Sequence, residues 1–200
     1  MVLLSATTAW SKKVLNCVSA LTLNKPLDIA IDWVAAQALP VPDPYLANWL
    51  LDTGSLTERL QSMCRQFSVQ VLYHAQPRDN SDFVREVILW GDNKPWVYAR
   101  SVIPQAINNG ELLDLGSQPL GRRIFNDERF VRGSFELCAL NCNSLCNHLM
   151  TDLVPTFTEG MSSLYGRRSA FQFLNTQMSV AEVFLPASPA YTYQPKDSNG

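Results

Sequence analysis

The chain has 200 residues, of which 46% are hydrophobic and 10% aromatic, enough apolar material for one packed domain. Its formal net charge is −2, which gives no support for nucleic-acid binding, because such proteins usually carry a stripe of basic residues. The early uncharged run at residues 14–24 is far shorter than the ~20 residues of a membrane span, and no clean signal-peptide cleavage site follows it. Five cysteines, an odd number at low density, favour a reducing compartment over a disulfide scaffold. We therefore expect a soluble, cytoplasmic protein without nucleic-acid partners, and we also expect it to be a monomer.

The first predicted elements are mainly helical. Residues 1 to about 38 are apolar and loosely helical in pattern, and "LPVPDPYLANWLLD" predicts a helix from about Asp43. "TGSLTERLQSMCRQF" predicts a second helix with a capping box, because Ser55 at the N-cap is followed three residues later by Glu58. The β-branched and aromatic run "FSVQVLYHA" then predicts a strand at 67–75.

Two hairpins dominate the rest of the chain. "FVREVILWGDNKPWVYARSVIP" predicts a pair of strands turning at residues 91–94, and "GRRSAFQFLNTQMSVAEVFLP" predicts another pair turning near Asn175 and Thr176. Between them, "LGSQPLGRRIF" predicts a short helix or turn and "RFVRGSFELCAL" a strand. Five or six strands with short connections predict an α+β fold, an antiparallel sheet with flanking helices. The polar tail at 192–200 is expected to be disordered.

Two charged residues lie on apolar strand faces. In the last strand, alternation places Glu182 on the same face as Met178, Val180 and Phe184. Arg85 lies on a comparable face of "FVREVIL". A buried carboxylate costs several kcal/mol unless it has a partner. The two charges could neutralise each other, or they could bracket a small anionic ligand that also carries a hydroxyl group, and the residues alone leave both interpretations open.

The remaining cationic candidates are two arginine pairs beside glycines. Arg122 and Arg123 lie in "PLGRRIF", and Arg167 and Arg168 in "YGRRSAF". Such pairs are usually solvated surface residues, but a dianionic substrate would need more than one cation, so all four stay candidates.

The sequence gives little support for a metal site or for a nucleophilic catalytic residue. Cys138, Cys142 and Cys146, with His148, have a Cys-x3-Cys-x3-Cys spacing rather than the paired C-x2-C pattern of structural zinc, so we interpret them as buried or incidental. Neither His74 nor His148 has a Ser or Cys nucleophile context. No G-x-S-x-G, P-loop or G-x-G-x-x-G motif occurs, which disfavours hydrolases, NTPases and dinucleotide enzymes.

Several blocks, in order, resemble the chorismate lyase family. They are "DPYLANWLLDTGSLTERL", "REVILWGDNKPWVYARSVIP", "LGSQPLGRRIF" and "GRRSAFQFLNTQMSVAEVFLPASPAY", of which the E-x-F-L-P-A-S-P core is the most specific. The resemblance implies a six-stranded antiparallel sheet with packed helices and a closed ligand pocket under flaps. It implies a carbon–oxygen lyase that converts chorismate to 4-hydroxybenzoate and pyruvate for ubiquinone or plastoquinone synthesis, without metal or organic cofactor.

The resemblance also implies the site residues. Arg85 would hold the ring carboxylate and Glu182 would contact the 4-hydroxyl group. The backbone amides of Leu56 and Leu120 would also contact the carboxylate, and the start of a capped helix suits an anion. Both Arg85 and Glu182 are then catalytic candidates.

The chain departs from the family pattern in three places, one of which is a shorter loop before the Arg85 strand. We expect an N-terminal extension at 1–38, a lyase-like domain at 39–191, and an insertion at about 141–163. The alternative to an enzyme is a non-catalytic sensor or carrier of hydroxybenzoate with the same fold, although no helix-turn-helix segment is evident.

Overall fold

The computed structural model describes residues 23–27, 29–75, 82–108, 112, 118–141 and 162–192. Within these ranges the strands are β1 (Val34–Ala35), β2 (Phe67–Ala75), β3 (Phe83–Gly91), β4 (Lys94–Ile103), β5 (Phe130–Asn141), β6 (Ser163–Phe173) and β7 (Thr176–Phe184). The α-helices are α1 (Pro44–Leu50), α2 (Leu56–Gln61), α3 (Gln105–Asn108) and α4 (Leu120–Phe125), and short 3-10 helices span Ala36–Ala38 and Pro189–Tyr191.

The strands of the described ranges form one sheet in the order β1-β5-β6-β7-β4-β3-β2, and neighbouring strands are antiparallel. The predicted α+β class is therefore confirmed, but the predicted count of six strands is wrong. The seventh strand is the two-residue β1, in which Val34 pairs with Leu137 at the edge of the sheet. Two residues are too few for an alternating pattern to be seen in the sequence.

The predicted loose helix at 1–38 is wrong where the structure describes that segment. Residues 29–33 have no helix, β1 follows, and helical geometry is limited to the single 3-10 turn at Ala36–Ala38. Leu27, Ile29, Ile31 and Trp33 recur every second residue, which is the period of an extended chain. The remainder of the predicted helix, residues 1–22 and 28, lies outside the described residues.

Each predicted hairpin is present. β3 and β4 are joined by Asp92 and Asn93 with φ values of 47° and 61°, the left-handed pair of a type I′ turn. The Trp96 ring covers the backbone at Gly91, where an added Cβ would lie 2.1 Å from the ring, so this position requires glycine. β6 and β7 turn one residue earlier than predicted, and Leu174 has a φ of 50° there.

Both faces of the sheet are covered. The back face carries Ile88, Tyr98 and Val183, and it is packed by apolar side chains of the N-terminal segment, residues 23–27 and 29–33. The front face carries Val87 and Leu89 and packs against helices α1 and α2, while α3 and α4 cover its other end. The site described below lies on the front face.

A buried carboxylate on the back face forms hydrogen bonds with the N-terminal segment. The Glu86 side chain is fully buried and accepts hydrogen bonds from the Leu27 N–H at 3.0 and 3.1 Å and from the Tyr98 hydroxyl at 3.0 Å. Arg100 Nε lies 3.4 Å from it. Burial raises the pKa of Glu86 against the opposing effect of these partners.

Candidate active site

A narrow cavity lies between the front face of the sheet and the first turns of α2 and α4. Strands β2, β3, β4 and β7 supply one wall, and the helices together with β5 and β6 supply the rest. Most of the lining is apolar, including Val87, Leu89, Ala99, Ile124 and Phe171. The cavity therefore has the character of a small-molecule site, an apolar space with a few polar groups at fixed positions.

All four residues predicted for the site line this cavity: Arg85, Glu182, Leu56 and Leu120. Leu56 and Leu120 are the first residues of α2 and α4, so the helical hydrogen-bond pattern does not use their N–H groups. The two helix starts are close together because Gly121 has no side chain, and a Cβ there would lie 3.0 Å from Thr57 Oγ1.

The capping box predicted for α2 is present in part. The Ser55 hydroxyl accepts from the Glu58 N–H at 3.4 Å. That bond uses the Glu58 N–H, so the Leu56 N–H at the cavity is not consumed by the cap.

Arg85 is a buried cation. It is 2% exposed, and its Nη2 donates to the Gln118 carbonyl oxygen at 3.1 Å. Its Nη1 is buried without a hydrogen-bond partner in the described part of the chain, and no described carboxylate lies within ion-pair distance of it. Burial lowers the pKa of Arg85 because the charged form loses its hydration. An anionic ligand would supply the missing partner.

Glu182 is paired, but its partner is not Arg85. Arg167 lies opposite it on β6, and Arg167 Nε is 2.7 Å from Glu182 Oε2. Arg167 is 1% exposed, and its Nη1 also donates to the carbonyl oxygens of Trp49 at 3.0 Å and Asp52 at 2.7 Å. One guanidinium group thus fixes the Glu182 carboxylate and the end of helix α1 together.

The surface interpretation of the two arginine pairs is wrong for Arg167. Successive residues of β6 point to opposite faces, so Arg167 lies on the front face and Arg168 on the back. Arg168 is partly exposed and pairs with Glu136 at 2.7 Å. Arg122 and Arg123 are exposed on α4 and do not line the cavity.

Sequence reasoning missed a third cation at the cavity, Arg132 of β5. Its guanidinium carbon lies 4.6, 4.9 and 4.8 Å from the ring centroids of Phe125, Phe135 and Phe171. Its Nη1 donates to the Thr53 carbonyl oxygen at 3.2 Å, and its Nε is buried without a hydrogen-bond partner in the described ranges. Burial, together with repulsion from a neighbouring arginine, lowers the pKa of Arg132 to about 10, so it is cationic at neutral pH.

A bulge explains why alternation did not reveal Arg132. Arg132 and Phe135 are an odd number of residues apart, which normally places side chains on opposite faces of a strand. Their partners on β6, Phe171 and Ser169, are an even number apart, because the register of β5 shifts between Arg132 and Phe135. Both side chains therefore reach the front face.

The histidine and cysteine candidates lie apart from one another where the structure describes them. His74 lies on β2 opposite Arg85, and burial, with the Arg85 charge, lowers the pKa of His74. Cys138 is buried on the back face. Cys142, Cys146 and His148 lie outside the described residues. Within the described ranges, no three His, Cys, Asp or Glu side chains are grouped closely enough to hold a metal ion.

No helix in the described part of the chain has the length and hydrophobicity needed to cross a membrane. The fold and the cavity together define an α+β protein with a mostly apolar cavity that is lined by a few charged residues. Two of the cations at that site, Arg85 and Arg132, have no carboxylate partner among the described residues.

The chain belongs to the chorismate lyase family, whose family model matches residues 28–196. A protein of Pseudoalteromonas atlantica named probable chorismate pyruvate-lyase is 42% identical over 187 residues, which cover 84% of this chain and 92% of that protein. A protein of Shewanella amazonensis with the same name is 35% identical over 191 residues, covering 90% of this chain and all of that protein.

Two solved structures that match the fold have low sequence identity to this chain. The C-terminal domain of the histidine utilization repressor from Pseudomonas syringae pv. tomato superimposes with a TM-score of 0.46 at 9% identity, covering 67% of this chain and 100% of that domain. A GntR-family transcriptional regulator from Enterococcus faecalis gives a TM-score of 0.38 at 13% identity, covering 66% of this chain and 99% of that one.

Proposed function

We propose that the protein is a chorismate pyruvate-lyase, which converts chorismate to 4-hydroxybenzoate and pyruvate. The observation that carries the proposal is that Arg85 and Glu182 line one buried cavity without pairing with each other. Membership of the chorismate lyase family and the names of the relatives support the same reaction.

The proposed contacts hold the ring at two opposite ends, the carboxylate and the 4-hydroxyl group. Arg85 binds the ring carboxylate as a fork, and the Leu56 and Leu120 N–H groups donate to the same carboxylate. Glu182 accepts a hydrogen bond from the 4-hydroxyl group. Arg167 compensates the charge of Glu182 and holds its carboxylate in one orientation, so Arg167 is a positioning residue.

The proposed reaction is an elimination that makes the ring aromatic. The bond between C3 and the ether oxygen breaks, C4 loses its hydrogen as a proton, and the enolpyruvyl group leaves with the bonding electron pair. A proton then adds to the methylene carbon of that group to give pyruvate. Every atom of chorismate is recovered in the two products, so the reaction needs no oxidant, reductant or cosubstrate, and we propose that it needs no cofactor.

Three effects are required of the protein. It must hold the substrate in one orientation, exclude water, and stabilise charge on the departing group. Glu182 is the candidate for assisting the proton movement, because it contacts the hydroxyl group on the carbon that loses its hydrogen. The wider setting, a cytoplasmic monomer that supplies 4-hydroxybenzoate to ubiquinone or plastoquinone synthesis, rests on composition and on the family resemblance.

The test is to incubate the purified protein with chorismate in the presence of EDTA. The amount of 4-hydroxybenzoate is measured by its absorbance, and the amount of pyruvate with lactate dehydrogenase and NADH. The two products should form in equal molar amounts, above a blank without protein. A protein that binds 4-hydroxybenzoate tightly but forms no product would be a sensor or carrier, and the lyase proposal would then fail.

A further inference from the structure

The charges around the cavity do not cancel. Arg85 and Arg132 line it with Glu182, and Arg167 pairs with Glu182 from β6. Asp52 is close enough to act on Arg132 electrostatically, but it is itself paired with an arginine of α2 at 2.7 Å. Among the described residues the site therefore has a surplus of two positive charges. Buried charge of one sign is costly unless a ligand neutralises it.

The two unpaired cations come from opposite parts of the sheet. Arg85 is on β3 and Arg132 on β5, and the strand order places β4, β7 and β6 between them. Glu182 is on the central strand β7 and interacts electrostatically with Arg132. A ligand held by Arg85 at one end and by Glu182 at the other would thus meet Arg132 beyond Glu182, on the side away from Arg85.

Arg132 is held ready to bind an anion. The rings of Phe125, Phe135 and Phe171 surround its guanidinium carbon and restrict the rotation of the side chain. Thr53 uses only one of its nitrogens, and the buried Nε has no partner in the described ranges. A group that is already oriented loses less conformational entropy when it binds.

We propose that Arg132 binds the enolpyruvyl carboxylate of chorismate, as the second carboxylate-binding cation of the site. This inference rests on the proposed function and names a determinant of its specificity. Chorismate carries two carboxylates, whereas 4-hydroxybenzoate and pyruvate carry one each, so the surplus of two positive charges matches the substrate better than either product. As the ether bond breaks, negative charge grows on the oxygen next to that carboxylate, where Arg132 also stabilises it.

The test compares two ligands that differ by one carboxylate. The probes are 3-(carboxymethoxy)-4-hydroxybenzoate, a dicarboxylate, and 4-hydroxy-3-methoxybenzoate, a monocarboxylate, with dissociation constants measured by calorimetry. The wild-type protein should bind the dicarboxylate roughly 10- to 100-fold more tightly, as expected for hydrogen bonds between charged groups. In Arg132→Gln this preference should disappear while the affinity for the monocarboxylate changes by less than about threefold.

Turnover gives an independent readout. The KM of Arg132→Gln for chorismate should rise and kcat should fall, so that kcat/KM drops more than tenfold. Arg122→Gln, which removes an exposed arginine of α4 outside the cavity, is the matched control and should leave both constants unchanged. If Arg132→Gln does not fold, Arg132→Lys keeps a positive charge on a long stem and should retain part of the dicarboxylate preference.

The proposal is overturned if the wild-type protein shows no preference for the dicarboxylate, or if Arg132→Gln weakens both ligands equally. The second result would show that Arg132 shapes the cavity but does not bind the second carboxylate. Failure of the wild-type protein to convert chorismate would instead refute the proposed function, and the binding comparison, which needs no turnover, would still test Arg132.

Discussion

Arg167 and Arg168 are adjacent in sequence, and replacing each with alanine should have very different costs. Arg167→Ala removes a 1% exposed cation from a carboxylate that is itself only 15% exposed. Breaking a buried ion pair from one side costs about 3–5 kcal/mol. The carbonyl oxygens of Trp49 and Asp52 also lose a donor, at about 1 kcal/mol each. Because Glu182 keeps some solvent contact, we expect a total loss of about 4–6 kcal/mol in the free energy of unfolding.

Arg168→Ala is the matched control. The Arg168 and Glu136 side chains are 35% and 43% exposed, and such pairs contribute about 0–1 kcal/mol. Urea denaturation followed by tryptophan fluorescence and by far-UV circular dichroism would measure both variants. A typical domain has about 5–15 kcal/mol of stability, so Arg167→Ala should be close to unfolding and Arg168→Ala close to wild type.

A double variant separates the ion pair from the carbonyl contacts. In a Glu182→Gln background no buried carboxylate is left unpaired, so Arg167→Ala should cost about 2 kcal/mol less than it does alone. Equal losses for Arg167→Ala and Arg168→Ala, or a loss below about 1 kcal/mol for Arg167→Ala, would refute this account of the buried pair.

Three further predictions concern single residues. Arg85→Ala should weaken the binding of 4-hydroxybenzoate by roughly 10- to 100-fold in calorimetry, because it removes the proposed carboxylate anchor, and an unchanged affinity would contradict that role. Burial raises the pKa of Glu86 in the folded protein above its unfolded value near 4.5. The protonated side chain therefore stabilises the folded state below pH 4.5, and this contribution is lost as the pH rises through the folded-state pKa. The stability of the wild type relative to Glu86→Gln should therefore fall as the pH rises above about 4.5 in urea titrations, and a difference that does not change with pH would contradict a raised pKa for Glu86. Burial raises the pKa of Cys138 to about 12, so peptide mapping after iodoacetamide treatment at neutral pH should find Cys138 unmodified in the folded protein and modified in urea; labelling without urea would contradict its burial.

Alternation along single strands was sufficient to predict two residues of the cavity. The strand containing Arg85 and the strand containing Glu182 are regular enough that the period of two assigns both side chains to an apolar face. The same rule could have found Arg167, because it shares a strand face with Phe171 and Phe173, which are buried. The presence of a second arginine beside it made a solvated surface pair the simpler interpretation.

Other features depend on contacts between distant segments. The bulge that turns Arg132 to the front face arises in the pairing of β5 with β6, which no local pattern encodes. Likewise, the partner of Glu182 is set by the register of β6 against β7, so sequence reasoning could predict a buried carboxylate but not which arginine holds it.

The buried Glu86 on the back face was missed for a similar reason. Glu86 follows Arg85 directly, and alternation assigns it to the opposite face, where an acidic residue would ordinarily face solvent. Its burial depends on the N-terminal segment, whose Leu27 N–H donates to it from 59 residues away.

The most direct test of the central claim is the turnover of chorismate by Glu182→Gln. Glutamine preserves the size of the side chain and can still accept a hydrogen bond, but it removes the carboxylate that we propose contacts the 4-hydroxyl group and assists the proton. We predict a fall in kcat of roughly 100-fold or more, as expected when a general acid or base is lost. Circular dichroism should show the folded structure, because Arg167 still donates to the Trp49 and Asp52 carbonyl oxygens and the glutamine oxygen can accept in place of the carboxylate. A kcat close to that of the wild-type protein would contradict the account and remove Glu182 from the mechanism.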